Sequence, residues 1–490
     1  MFENTFYIFD KSKELSFAEI KLIVATNFAL SALVIGFCLI VLMRLRTAKR
    51  EKNNSARVDE IDLISNISSI SKFIQDADKV LNNKAGCNFV LIHFDIEKFK
   101  MINDSLGYKV GDEILGEIGK LLKNTLYNEH IYARSYADNF IILYEYKCNQ
   151  KKLLQITNDS LHRIENLSIW NRLKIKPVIT AGIYFICESD YEIRVAIDMA
   201  RLAKKGIKGG YKSNCVIYNE NMKQALIEEK KIEDDMYYAL KNDEFKVYLQ
   251  PKISLESGSI SGAEALVRWE HPLFGLLSPI KFIPIFEKNG FIVDLDKYVF
   301  EQICINLNKW LHDEHKPVPI SVNVSRIHFA NSNFVSEYKS IKEKYQIPDD
   351  LIEIEITESV VFGKLDEIFS IMKDFRENGF NISMDDFGSG YSSLGLLREM
   401  PIDTIKLDKV FLYHIEDRNA QIIVNNVVNL AKNLKLNVVA EGVETKMQAD
   451  FLKEIGCNMA QGFIFSKAIP INEYEKLIFH ERKNYYNLII

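Results

Sequence analysis

An α/β chain is predicted, with a TIM-like (β/α)8 barrel in its C-terminal half, a smaller ferredoxin-like α/β domain before it and one N-terminal transmembrane helix. Three observations predict it. Residues 22–43 carry no charge; residues 58–220 alternate strand-like apolar runs with amphipathic segments; and residues 235–480 repeat a strand-then-helix unit with polar residues at the ends of β-branched runs. At 490 residues the chain exceeds what one hydrophobic core absorbs, and 47% hydrophobic with 26% charged residues excludes global disorder. The formal net charge of -5 argues against a nucleic-acid backbone binder, so neither DNA nor RNA is an expected partner. The 7 cysteines are scattered without a CxxC pair, which supports neither thiolate catalysis nor structural zinc.

The N-terminal 57 residues differ from the rest. An uncharged run over 22–43 is long enough, at about 1.5 Å per residue, to cross a hydrocarbon core about 30 Å thick. Arg44, Arg46, Lys49, Arg50, Lys52 and Arg57 then stand against Glu51 alone, and a basic flank stays beside the cytoplasmic leaflet. The expected order is an extracytoplasmic tail (1–21), a membrane-spanning helix (22–43) and a basic juxtamembrane linker (44–57). Both large domains are expected in the cytoplasm of a single-pass, membrane-anchored protein.

Residues 89–95, 139–144 and 178–186 read as strands, and 112–122 and 194–204 as helices. Asp95 and Glu97 follow the first strand, then Phe99-Lys100-Met101-Ile102-Asn103-Asp104 and Gly111-Asp112. These segments resemble the diguanylate cyclase (GGDEF) family over about 160 residues of a cyclase-like domain. The resemblance assigns Asp95 to a divalent metal and Asn103 and Asp112 to the guanine edge. Its signature stands here as Tyr136-Ala137-Asp138-Asn139-Phe140. Side chains in place of two glycines obstruct the approach of backbone N–H groups to phosphates, and an amide is a poorer ligand for a hard cation than a carboxylate. Cyclase activity is therefore not expected. The family's inhibitory Arg-x-x-Asp is replaced by Tyr127 and His130. Two readings stay open: a remnant site of Asp95, Asn103, Asp112 and Asp138 that binds GTP as an allosteric ligand, or a structural spacer or dimerisation unit.

After a linker helix (221–234), residues 235–480 give the sharpest pattern. Glu264, Asn323, Glu355, Asp385, Lys406, Glu441 and Gln461 follow one another at intervals of 59, 32, 30, 21, 35 and 20 residues, most of which fit one strand, one helix and their loops. In a barrel such strand ends converge at one mouth, although an open doubly wound sheet would converge them too. Period-two alternation puts Ser321, Asn323 and Ser325 on one face and Glu353, Glu355 and Thr357 on another, opposite β-branched partners. Buried carboxylates demand counter-charge, and an oxygen-rich set suits Mg2+ or Mn2+. Two such ions could share Asp385, polarise a phosphodiester and activate a water, with Lys406 orienting that water.

The same half resembles the EAL family of cyclic di-GMP phosphodiesterases. The matching segments are Gln250-Pro251, Glu264-Ala265-Leu266-Val267-Arg268-Trp269-x-His271-Pro272, Phe282-Ile283-Pro284 with Glu287, Asn323-Val324-Ser325 and Glu355-Ile356-Thr357-Glu358. They continue with Asp385-Asp386-Phe387-Gly388-Ser389-Gly390, Lys406-Leu407-Asp408, Glu441-Gly442-Val443-Glu444-Thr445 and Gln461-Gly462-Phe463. The resemblance implies hydrolysis of cyclic di-GMP to linear pGpG at a bacterial cell membrane, with two Mg2+ or Mn2+ ions per site. It assigns Glu264, Asn323, Glu355 and Asp385 to the first ion, and Asp385 with Asp386 to the second. Lys406 and Glu441 would manage the water, and Gln250, Leu266, Arg268 and Gln461 would hold substrate. Gly388, Gly390 and Glu444 would belong to a loop coupling dimerisation to metal binding, and a homodimer is expected. The competing reading is a catalytically silent cyclic di-GMP sensor or a GTP-responsive regulator. Residues 481–490 are read as a tail.

Overall fold

A computed structural model describes Met43 and residues 60–480, apart from 84–87, 127–129, 148, 187–191, 207–211, 359, 361–364 and 389–396. The chain forms two compact units, Met1–Ala225 and Leu226–Ile490. Among the described residues no helix is long and apolar enough to cross a membrane. The long described helices show why: Glu220–Lys241 is rich in Glu, Asp and Lys, and Ile292–His312 carries Asp294, Asp296, Lys297, Glu301 and Lys309. The predicted span at 22–43 lies, Met43 apart, outside the described residues, as do its flanks at 1–21 and 44–57. This finding corrects the transmembrane component of the predicted fold, the membrane-anchored state and the single-pass localisation.

In the first unit β1 (Ser68–Ser69), β2 (Phe89–Ile96), β3 (Ile131–Tyr136), β4 (Asn139–Glu145), β5 (Ile179–Ile186) and β6 (Asn214–Ile217) form one sheet in the order β1-β3-β4-β2-β5-β6. Helices cover both faces, so every residue of the central β2 is buried. Val90, Ile92 and Phe94 pack with Ile114 and Ile118 on one face, while Phe89 and Leu91 pack with Phe73, Ala196 and Ala200 on the other. Period two then carries Asp95 to the face of helix Ile193–Lys205, and Asn139, in step with Ile141 and Leu143, to the same face. Gly182 permits the close packing there, since a Cβ at that position would lie 1.9 Å from the carbonyl oxygen of Ala200.

In the second unit β7 (Phe245–Ser254), β8 (Ile260–His271), β10 (Ile320–Asn323), β11 (Ile352–Thr357), β12 (Asn381–Phe387), β13 (Thr404–Leu407), β14 (Asn437–Ala440) and β15 (Met459–Ala460) close an eight-stranded barrel. The short β9 (Gly275–Leu277) and β16 (Ile469–Pro470) extend its rim. The strand-helix repeat predicts eight parallel strands. Instead β7 runs antiparallel to both β8 and β15. A tight turn joins β7 to β8, with Gly258 N donating to Ser254 O at 2.8 Å, and a parallel pairing would need a crossover of a dozen residues. The long interval between Glu264 and Asn323 holds β9 and two helices, Pro279–Asn289 and Ile292–His312.

Alternation along these strands sorts the side chains. Leu249, Ala263, Ala265, Val322, Ile354, Ile382, Ile405 and Val438 join the core under the helices, each large aliphatic contributing about 1.5–3 kcal/mol. Gln250, Lys252, Glu264, Ser321, Glu353, Glu355, Ser383 and Lys406 take the opposite phase and are also buried, inside the barrel.

Candidate metal centre at the barrel mouth

Lys406 on β13 stands at the centre of the acidic set. Its Nζ lies 2.6 Å from Glu441, 2.9 Å from Glu355, 3.0 Å from Asp385 and 3.4 Å from Glu264. Glu264 Oε1 accepts from Asn323 Nδ2 at 2.9 Å, and its Oε2 accepts from Gln461 Nε2 at 2.7 Å. Glu264, Glu355 and Asp385 thus gather around Lys406, with Asn323 bonded to Glu264, as parallel neighbours in register bring them: Ser321 opposite Glu264, Asn323 opposite Glu355, Thr357 opposite Asp385.

Two consecutive aspartates would point to opposite faces of a regular strand. The pairing of β12 with β13 shifts between Met384 and Phe387, and Asp386 adopts φ 54°. This local irregularity turns Asp386 back toward the site, and carboxylate oxygens of Asp385, Asp386 and Glu441 lie within 4.8 Å of one another. A candidate acidic metal-ligand cluster therefore exists here. A left-handed aspartate costs energy, a feature that clusters at functional sites.

The electrostatics are those of an acid excess. Burial raises the carboxyl of Glu441 to about 8, with Lys406 opposing the rise and Asp385 and Glu264 adding to it. Burial, Asp385 and Asp408 push Asp386 up to about 6. Glu264 is raised by burial and by Glu355. Glu355 goes the other way: burial opposes its charge, but Lys252, Lys406 and a hydrogen bond from Ser321 hold it down at about 2. Burial alone would lower Lys406, yet Glu264, Glu355, Glu441 and Asp385 leave it well above the usual lysine value.

Of the expected substrate-binding residues, Gln250 accepts from Gln461 Nε2 at 3.0 Å and donates to Ser466 O at 3.1 Å, and Gln461 Oε1 is buried without a hydrogen-bond partner. Leu266 lies opposite Tyr248, and Arg268 sits over the Tyr248 ring at 5.7 Å while donating to Val267 O. Gly462 is required by close packing: a Cβ there would lie 2.1 Å from Val443 O. Gly388 has φ 90°, and its N–H donates to Glu358 Oε2 at 2.9 Å, whereas Glu444 N donates to Gln448 in a helix cap. Gly390 lies outside the described residues. Glu358 is thus a contact of this loop that the sequence marked only as part of a motif.

Lys252 was missed altogether. It is buried, with Nζ 3.0 Å from Glu355 and 3.4 Å from Glu353. The signal was present, since Lys252 follows Gln250 by two residues on one strand and must share its face. His271 is a packing residue, bonded to Asp235 and capping a turn through Leu273 N.

In the first unit Asp95 and Asn139 converge on Lys204, whose Nζ lies 2.5 Å from Asp95 Oδ2 and 3.0 Å from Asn139 Oδ1. Thr180 Oγ1 donates to Asp95 Oδ1 at 2.7 Å. Asp138 accepts from Ile96 N at 3.0 Å, and burial followed by Asp95 raises its carboxyl. Asn103 lies against Gly111, with its Oδ1 buried and unpaired, and Asp112 is exposed on helix Tyr108–Thr125.

Residues 233–468 match the profile of the EAL domain, and residues 56–209 that of the diguanylate cyclase, GGDEF domain. The chain is 30% identical over 433 residues to the cyclic di-GMP phosphodiesterase PdeR of Escherichia coli, covering 88% of this chain and 64% of that protein. It is 30% identical over 390 residues to the bifunctional diguanylate cyclase/cyclic di-GMP phosphodiesterase MucR of Pseudomonas aeruginosa, covering 79% and 56%. The chain thus spans between half and two thirds of the length of these relatives. The S helix-GGDEF-EAL structure of Vibrio cholerae LapD, bound to c-di-GMP, shares the fold at TM-score 0.52 and 19% identity, covering 86% of this chain and 99% of that one.

Proposed function

We propose that this chain, whose architecture is a GGDEF domain followed by an EAL domain, hydrolyses cyclic di-GMP to linear pGpG by metal-dependent attack at the barrel mouth. The convergence of Glu264, Glu355, Asp385 and Glu441 on Lys406 carries this reading. The donor set fits a hard divalent cation, because the cluster is built of oxygens and Gln461 adds a buried acceptor without a donor. Among the described residues Glu264, Glu353, Glu355, Asp385 and Glu441 pair with Lys252 and Lys406, and with Asp386 beside them six carboxylates crowd around two ammonium groups, an acid excess when all are ionised. Two Mg2+ or Mn2+ ions match that excess. Glu264, Asn323, Glu355 and Asp385 would hold one, the asparagine with its amide turned over, and Asp385 with Asp386 the other.

When bound, such ions polarise the phosphate and acidify water. The remaining work falls to side chains. Lys406 orients the attacking water and offsets charge developing on the phosphate. Glu441, 2.6 Å from Lys406 Nζ, shares the handling of that water with Lys406. Gln461 fixes Glu264, and Arg268 offers a planar fork to the distal phosphate. The GGDEF domain is not a cyclase on this reading, because Asn139 and Asp95 are tied to Lys204. The test is chromatography of cyclic di-GMP incubated with the full chain and Mn2+, beside Glu264→Gln. Linear pGpG is expected, with at least about 100-fold less from the variant. Binding of cyclic di-GMP without cleavage under Mg2+ or Mn2+ overturns hydrolysis in favour of the sensor reading.

A further inference from the structure

We infer that Lys252 is a positioning residue for metal binding: it holds one oxygen of Glu355 from inside the barrel so that the other is presented to the mouth. This rests on the reading of Glu355 as a metal ligand. The side chain of Lys252 is 3% exposed and that of Glu355 fully buried, so neither contact is a solvated surface pair. Lys252 Nζ meets Glu355 Oε1 at 3.0 Å, while Glu355 Oε2 faces Lys406 at 2.9 Å. The two oxygens of one carboxylate are therefore divided between two ammonium groups. A terminal carboxylate torsion is broad and roughly two-fold, so without Lys252 only Lys406 and the Ser321 hydroxyl hold Glu355 against turning.

The reversed strand makes this possible. Because β7 runs antiparallel to β8, Lys252 stands opposite Gly262, one step deeper than the Gln250 and Glu264 pair. Gly262 offers no side chain, and even a Cβ there would lie 3.4 Å from Lys252 Cδ, so the lysine stem crosses this position toward β11. There it meets Glu353 Oε1 at 3.4 Å, two residues before Glu355 and on the same face. Lys252 thus couples an inner carboxylate, which has no place among the expected ligands, to one that has. Partners of this kind around a metal site cost about 10–100-fold in affinity when removed.

Charge and position are separable here. Removing Lys252 alone would make the cluster more negative and draw a dication in, masking a loss of position. Lys252→Met with Glu353→Gln removes one charge of each sign, leaving the net charge unchanged. In the full chain, Mn2+ binding followed by calorimetry is expected to weaken about 10–100-fold, with thermal unfolding still cooperative. The Mn2+ concentration giving half-maximal turnover should rise in step, while the KM for cyclic di-GMP at saturating Mn2+ stays put. Lys252→Gln with Glu353→Gln keeps polar atoms in the buried layer and serves should the first variant not fold. Wild-type Mn2+ affinity in either folded variant overturns the proposal. So does failure of both to fold, which leaves Lys252 a structural residue. An unmutated chain that neither binds Mn2+ nor hydrolyses overturns the functional reading, and this inference with it.

Discussion

Both units bury a lysine among the acidic residues that family resemblance marks as functional, and the two differ in what is left over. In the first unit Lys204 meets Asp95 and the neutral amide of Asn139, and Thr180 also bonds Asp95. The Lys204 ammonium pairs with Asp95, and Asp138 lies near enough for Asp95 to raise its carboxyl. In the barrel Lys406 faces Glu264, Glu355, Asp385 and Glu441, and Lys252 adds one more positive charge. The difference teaches that a buried lysine does not by itself mark a live or a dead site. Among the described contacts the two lysines differ in how many carboxylates they touch, and a crowd of buried carboxylates is too costly to keep ionised without further cation.

The comparison breaks most readily at the two lysines. Lys406→Met is expected to reduce turnover about 1,000-fold in a chain that still melts cooperatively, measured by pGpG release; a loss below about 10-fold would remove Lys406 from the chemistry. Lys204→Met should destabilise the first unit by about 3–5 kcal/mol, because the buried Asp95 then loses this ammonium, and leave Mn2+ binding by the barrel untouched. Calorimetric unfolding that is unchanged would mean Asp95 takes up a proton at little cost.

Arg268→Lys sharpens the substrate side. A lysine keeps the charge but loses the fork, so KM for cyclic di-GMP should rise about tenfold with kcat nearly unchanged, read from initial rates. The smallest effect is on stability against pH. In chelator the carboxyl of Glu441 stays protonated in the folded barrel up to about 8, whereas an unfolded glutamate loses its proton near 4.5. That contribution is fully present below 4.5 and is lost as pH rises through 8, so the barrel's melting temperature should fall by a few degrees between pH 5 and 8.5. Saturating Mn2+ should abolish the fall by replacing the proton. Glu355, depressed to about 2, contributes in the opposite sense: its share is present above 4.5 and lost as pH falls through 2. A melting temperature that rises from pH 5 to 8.5 in chelator would contradict the assignment of Glu441.

Much of the candidate site was legible because strand alternation is local. Ile352–Thr357 shows which of its residues share a face, and the intervals from Asn323 to Gln461 count out strands and helices. The membrane span was read from the same local information, but hydropathy at 22–43 finds no support among the described residues. Lys252 escaped because it shares its strand and its phase with the exposed Lys246, and only the strand's neighbours tell the two apart. The paired use of Asp385 and Asp386 required a departure from alternation that no local pattern announces.

By itself the sequence determined which side chains are buried together on each strand and which chemistry their oxygens suit, since both depend on residues a few positions apart. Only the tertiary structure decided that β7 is reversed, that Lys252 and Lys406 divide the oxygens of Glu355, and that Lys204 closes over Asp95. Those contacts join residues 51, 103 and 109 positions apart. Their existence depends on how strands close and helices press on a sheet, which is a property of the whole core rather than of any window along the chain.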